Sequence, residues 1–155
     1  MEVFADEDAV ARVGRGLLER SLPKSEWSHA AHFAAVLWLI RRRPDLPIRE
    51  HLPGLIRAYN EATGTANTDV SGYHETITQA SITAAEYVLS RTSLGAPLHT
   101  VLGVVLSSSL GRSDWLLAYW SRARLFSIEA RLRWCEPDVR PFALNFLDSK
   151  ASSNG

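Results

Sequence analysis

The chain has 155 residues, 46% of them hydrophobic, and its 17 basic residues balance 17 acidic ones to a formal net charge of zero. That length suits one domain with a sizeable core, and the balance excludes the strongly basic character of a nucleic-acid binder. The single cysteine, Cys135, excludes an internal disulfide framework and cannot by itself build a thiolate zinc cluster.

The acidic start, Met1 to Asp8, carries no apolar signal core, and no apolar run approaches the roughly 20 residues of a membrane span. The expectation is a cytoplasmic protein without a membrane anchor. Apolar residues recur at three- and four-residue spacing almost throughout, which predicts an all-α fold. A first helix is expected from Asp6 to Ser21 on the stripe Val10, Val13, Leu17 and Leu18. Pro23 and Ser25 break it. A second begins between Ser25 and Ser28, with either serine as N-cap, and its stripe is His29, His32, Phe33, Val36, Leu37 and Ile40. Arg41 to Arg43 suit the negative end of its dipole, and Pro44 stops it.

A third helix is expected from Pro47 to Thr63, with a late start or a kink at Pro53-Gly54 and Gly64 as C′ residue. The polar run Thr65 to Gly72 reads as a loop. A fourth helix, Tyr73 to Arg91, has the inward stripe His74, Ile77, Thr78, Ser81, Ala85 and Val88, whose polar members all lie in its first half. Pro97 opens a fifth helix through Leu110. Ser113-Asp114 caps a sixth carrying Trp115, Leu116, Tyr119 and Trp120, and a short seventh lies between Ser127 and Glu136-Pro137-Asp138. The architecture expected is a single-domain helical bundle over residues 1–147, of five longer helices plus one or two short ones. A frayed polar tail is expected over 148–155.

Three histidines carry the functional signal. His29 and His32, three residues apart, share one helix face, and that face is the apolar stripe. Both lie in the first turn or two, where the positive end of the dipole favours neutral imidazole. His74 is expected in an equivalent setting on the fourth helix. A neutral imidazole is both a metal ligand and a general base. His29, His32 and His74 are therefore the candidate metal ligands, with Glu75 as base or fourth ligand and Trp27, Tyr73, Thr78 and Ser81 lining the pocket. Three imidazoles leave coordination positions open, the geometry of catalysis. Zinc is the default divalent metal, and the residue types also admit iron, copper, nickel or manganese. Against this stands the ordinary role of an inward histidine, a core residue with its ring N–H on a carbonyl.

The remaining features read as structure. His51 falls off the apolar stripe, Ser127 is an N-cap rather than a nucleophile, and Cys135 is a buried inert thiol. The tryptophans build core; Trp115, Tyr119 and Trp120 together would make a partner surface if exposed.

Taken together, Trp27-x-His-x-x-His32, Gly72-Tyr-His-Glu-Thr-x-Thr78, Ser127-x-Glu-Ala-Arg131 and Glu136-Pro-Asp138 with Pro141 resemble a family of small all-helical bacterial proteins. Its members show Thr-His-x-x-His-Leu early and Tyr-His-Glu-Thr in the middle. Here Ser28 and Phe33 stand in place of the threonine and leucine. The resemblance spans Ser25 to Phe142. It implies that His29, His32, His74 and Glu75 belong to one site, closed over by the Glu-Pro-Asp segment.

Two functions follow as expectations. One is a metal-dependent small-molecule enzyme with hydrolase, lyase or oxygen-dependent chemistry. The other is a non-catalytic small-ligand-binding or regulatory module using the same histidine pocket. A small-molecule ligand is the expected partner of either, nucleic acid and membrane are not, and many tryptophans with near-zero charge suit a homodimer.

Overall fold

The computed structural model describes residues 4–148, and these form an all-helical bundle. Five longer helices come first: α1 (Glu7–Glu19), α2 (His29–Arg42), α3 (Ile48–Ala62), α4 (Glu75–Arg91) and α5 (Leu98–Ser107). Two short ones follow, α6 (Arg122–Leu125) and α7 (Ile128–Leu132), with single 3-10 turns at Lys24–Glu26, Ser109–Gly111 and Trp115–Ala118.

Side-chain caps set the starts. Asp6 accepts from the Ala9 N–H (2.9 Å), Ser28 from Ala31 (3.1 Å) and Ser127 from Ala130 (3.1 Å). Each satisfies a donor the helix itself leaves unpaired, worth about 1 kcal/mol. Of the two serines expected at the start of α2, Ser28 is the cap; Ser25 sits in the preceding 3-10 turn. α2 stops at Arg42, short of Pro44, and α3 runs into Gly64, whose φ of +85° makes it the left-handed residue past the helix end. α3 shows no late start. It runs from Ile48 straight through Pro53, because Leu52, Ile56 and Tyr59 seat its inner face and outweigh one lost backbone hydrogen bond.

α2 is the central helix. It packs on α1, α4 and α5 and is buried continuously from Phe33 to Leu39. α1 lies against it where Gly14 meets Trp38: a Cβ on Gly14 would fall 2.4 Å from the indole ring. Across the same core His99 gives both its backbone N–H (2.7 Å) and its ring Nδ1 (3.0 Å) to the Glu7 carboxylate, tying α5 to α1.

Three expectations fail in the second half. α4 begins at Glu75, not Tyr73, which leaves His74 outside the helix. α5 ends at Ser107 rather than Leu110. The helix expected from Ser113 is only the 3-10 turn Trp115–Ala118, followed after a break by α6, which sequence periodicity does not reveal. Serine side chains end regular structure here. Ser108 Oγ accepts from Leu110 N–H (3.2 Å) and Ser121 Oγ from Arg124 N–H (3.2 Å), offering the backbone local alternatives to a continuous helix. Trp115 and Trp120 are buried, so they build core rather than an exposed partner surface.

The run from Arg133 to Asp148 has no helix but is pinned at intervals. Trp120 Nε1 donates to the Cys135 carbonyl (2.9 Å), the Cys135 N–H donates to Thr76 Oγ1 (3.1 Å), and that hydroxyl donates to the Arg133 carbonyl (2.9 Å). Cys135 is buried, as expected. Asp148, expected in a frayed tail, pairs with Arg91 (2.6 Å) and accepts from Tyr87 Oη (3.1 Å); the rest of that tail lies outside the described residues. No helix among the described residues is long and apolar enough to cross a membrane.

Candidate functional site

The N-terminal end of α2 forms one wall of a cavity of about 320 Å³, at the small end of the roughly 300–1,000 Å³ typical of ligand pockets. Trp27, His29, His32 and Phe33 line this wall, and Ile77 and Ser81 of α4 line the floor. The opposite wall is the irregular stretch from Ser113 to Phe126, which contributes Trp115, Leu117, Arg122, Leu125 and Phe126.

His32 is the residue whose polar groups are open to this space. Among the described residues, no side-chain nitrogen or oxygen buried from solvent lacks a hydrogen-bond partner, and His32 has no such partner. Its ring nitrogens therefore face the cavity that it lines. Trp27 packs on its face, ring centroids 4.7 Å apart and tilted by 39°. Burial pushes the His32 imidazole down to about 4, and the neighbouring His29 adds to the effect. At neutral pH the ring is thus uncharged and offers the cavity one donor and one acceptor.

His29 is half committed. Its Nε2 lies 2.7 Å from the Leu110 carbonyl, and since a carbonyl can only accept, Nε2 carries the proton and Nδ1 keeps its lone pair. Phe33 meets its ring edge-on at 5.4 Å. This bond also anchors the start of α2 to the chain just after α5.

His74 is different in kind. It is the N-cap of α4, with extended backbone, and its Nδ1 accepts from the Ile77 N–H at 3.1 Å. Its Nε2 donates to the Leu125 carbonyl at 2.7 Å. Both ring nitrogens are therefore bonded to backbone, and the tautomer is fixed. Burial lowers its proton affinity; the Leu125 carbonyl opposes this, and the charge of Arg131 adds to it. No group of three or more His, Cys, Asp or Glu among the described residues is arranged to hold a metal ion, so the set His29, His32 and His74 does not come together. The two-residue shift in the start of α4, from Tyr73 to Glu75, is the physical reason. Inside the helix His74 would head an inward stripe; outside it, the ring folds back onto the first turn.

The other expected residues divide. Trp27 and Ser81 line the cavity, and Ser81 Oγ donates to the Ile77 carbonyl (2.7 Å). Tyr73, Glu75 and Thr78 do not line it. Glu75 instead accepts from the Tyr73 hydroxyl and from Gln79 Nε2 (3.4 Å), and Arg57 stacks over the Tyr73 ring at 4.3 Å. Burial and the adjacent Glu75 carboxylate both raise the Tyr73 phenol. That cluster braces the loop before α4, as does Arg131, which donates to the Gly72 carbonyl (2.8 Å). Glu86, three turns further along α4, pairs with Arg49 at 2.6 Å.

Reasoning from sequence misses the wall from Ser113 to Phe126. Its signal was present in Ser121, a good N-cap in front of Arg122-Ala-Arg124, but the neighbouring tryptophans fit a longer helix. The Glu136-Pro137-Asp138 segment does not close over the histidines. It supports this wall from behind: Asp138 accepts from the Ser121 N–H (2.7 Å) and hydroxyl (2.6 Å), while Arg124 donates to the Glu136 carbonyl. Comparisons with protein-family models, curated proteins and solved structures give no match.

Proposed function

We propose that this chain is a small-ligand-binding module whose site is the cavity between the start of α2, the floor of α4 and the Ser113–Phe126 wall. One observation carries the reading: His32, neutral at physiological pH and without a partner among the described residues, faces a partly open cavity lined by Trp27, Phe33 and Trp115. Apolar walls with a few convergent polar groups are the common composition of small-molecule sites. His32 supplies orientation, and His29 holds the wall that carries it.

The test is ligand-observed NMR with a mixture of small aromatic and aliphatic compounds. Binders to the wild-type protein should lose their signal in Ser81→Phe and in Leu117→Trp, which fill the cavity from opposite sides, and weaken in His32→Ala. Unchanged binding in both filled variants, with native far-UV circular dichroism, would sink the reading.

A second reading, the metal-dependent enzyme, keeps two of its three imidazoles. It is favoured by the His29–Leu110 bond, since a backbone carbonyl on one ring nitrogen is a common way to orient a metal-ligating imidazole. Zinc, iron, copper, nickel or manganese would then sit on His29 and His32, with water completing the shell and becoming the reactive group. Elemental analysis of the purified protein, with His29→Ala beside it, separates the two. One equivalent of metal, lost in the variant, selects the enzyme; none after reconstitution selects the module.

A further inference from the structure

We propose that the ligand of this cavity is a small monocarboxylic acid with a flat apolar body, its carboxylate held at the mouth by Arg122; this rests on the pocket reading above. The interior offers aromatic faces from Trp27, Phe33 and Trp115 and no charged group to pair with an anion. His29 directs its one N–H to the Leu110 carbonyl. An anionic head placed deep inside would therefore lose its water without gaining a cation.

The charge lies at the edge. Two ionised residues line the cavity, Asp114 and Arg122, and both are exposed. Asp114 is engaged by Arg112, whose Nε and Nη2 reach its two carboxylate oxygens at 3.1 and 3.4 Å. Arg112 is the main partner of this carboxylate, and Arg122 also holds it ionised through its charge, without a hydrogen bond. Arg122 makes no ion pair or side-chain hydrogen bond with any described residue. With two guanidinium groups and one carboxylate the mouth carries one positive charge in excess, and the guanidinium whose donors are unbonded is Arg122, whose planar fork matches a carboxylate in two parallel hydrogen bonds. A ligand that crosses from this cation to the aromatic interior is amphipathic by necessity. A neutral hydroxyl or carbonyl at its far end would meet His32.

The probes are 3-phenylpropionate, 3-phenylpropionamide and 3-phenylpropylamine, equal in shape and different in charge, titrated calorimetrically at low salt and neutral pH. The wild-type protein should bind the acid about fivefold more tightly than the amide, as expected of a partly exposed charge pair, and the amine most weakly. Arg122→Gln should bring acid and amide within about twofold, and Asp114→Asn, which releases Arg112, should widen the gap. Equal affinity of acid and amide for the wild-type protein, or an acid preference that survives Arg122→Gln, would overturn the proposal. In that event amide binding that disappears in Leu117→Trp leaves the pocket reading standing. No binding of any probe overturns both.

Discussion

The starts of α2 and α4 hold the same residue in nearly the same place, and the two histidines end in opposite conditions. His74 has both nitrogens on backbone, one accepting from Ile77 and one donating to Leu125. His32, four residues past the Ser28 cap, has neither. Since α2 already has a serine as its cap, no imidazole is needed there. α4 has no serine, threonine, aspartate or asparagine at its cap position, and His74 takes that role. Which histidine is free for chemistry is decided by which helix lacks another cap.

Acid should separate these two environments most strongly. Above about pH 6.5 the folded and unfolded chains both carry a neutral His32, so the ring adds no pH dependence. Between 6.5 and about 4 the unfolded chain takes up a proton that the folded ring refuses, so stability falls, and below 4 the loss levels off. The loss amounts to about 3 kcal/mol. Urea unfolding across that range should show it, and His32→Gln should flatten the slope, leaving the smaller part due to His74, which shifts in the same direction. An unchanged slope in His32→Gln would show that the ring is already charged or solvated in the folded protein.

Next in size is the capping residue. His74→Ala removes the acceptor of Ile77 and the donor to Leu125 and should destabilise by about 2 kcal/mol. His74→Asn, an efficient cap, should recover about half of that. Neither change should lower metal content or occupy the cavity, whereas His32→Ala should cost little stability and weaken by about fivefold a ligand that bonds the ring, a lost hydrogen bond of roughly 1 kcal/mol. Calorimetry with 3-(4-hydroxyphenyl)propionate, whose far hydroxyl can reach His32, set beside the urea midpoints, reads both quantities. If His74→Ala instead abolished binding at full stability, the contrast drawn between the two rings would collapse. The smallest effect belongs to Glu75→Gln. The amide oxygen can still accept from Tyr73, so unfolding midpoint and ligand affinity should both move by less than about 0.5 kcal/mol. A large loss of affinity would return Glu75 to the site.

Much of the fold was legible because long amphipathic stripes and caps are local signals. Ser28, Gly64 and Ser127 could be recognised from sequence, and each acts at a helix end as its residue type suggests. The histidine site was half legible. His29 and His32 are fixed to one face by helix geometry alone, so their sharing a pocket followed from spacing. The place of His74 depended on whether α4 starts one residue before it or one after. Histidine is an uncommon cap, so the pattern favoured the wrong choice. Arg122 was out of reach for another reason. It lies on a four-residue helix held by Asp138 and Glu136 from a distant segment, and contacts of that range leave no periodicity to read.

The two sides of the cavity also differ in how firmly they are knit. α2 and α4 are long helices with continuous backbone ladders, while the facing wall is one 3-10 turn and a single turn of α-helix. Amide hydrogen exchange should therefore find two clocks around one ligand. The α2 and α4 amides should exchange only through rare, extensive opening, and those from Ser113 to Phe126 through frequent local opening. A bound molecule that touches both sides would slow the fast clock far more than the slow one, and the ratio would measure how much of its binding energy goes into ordering that wall.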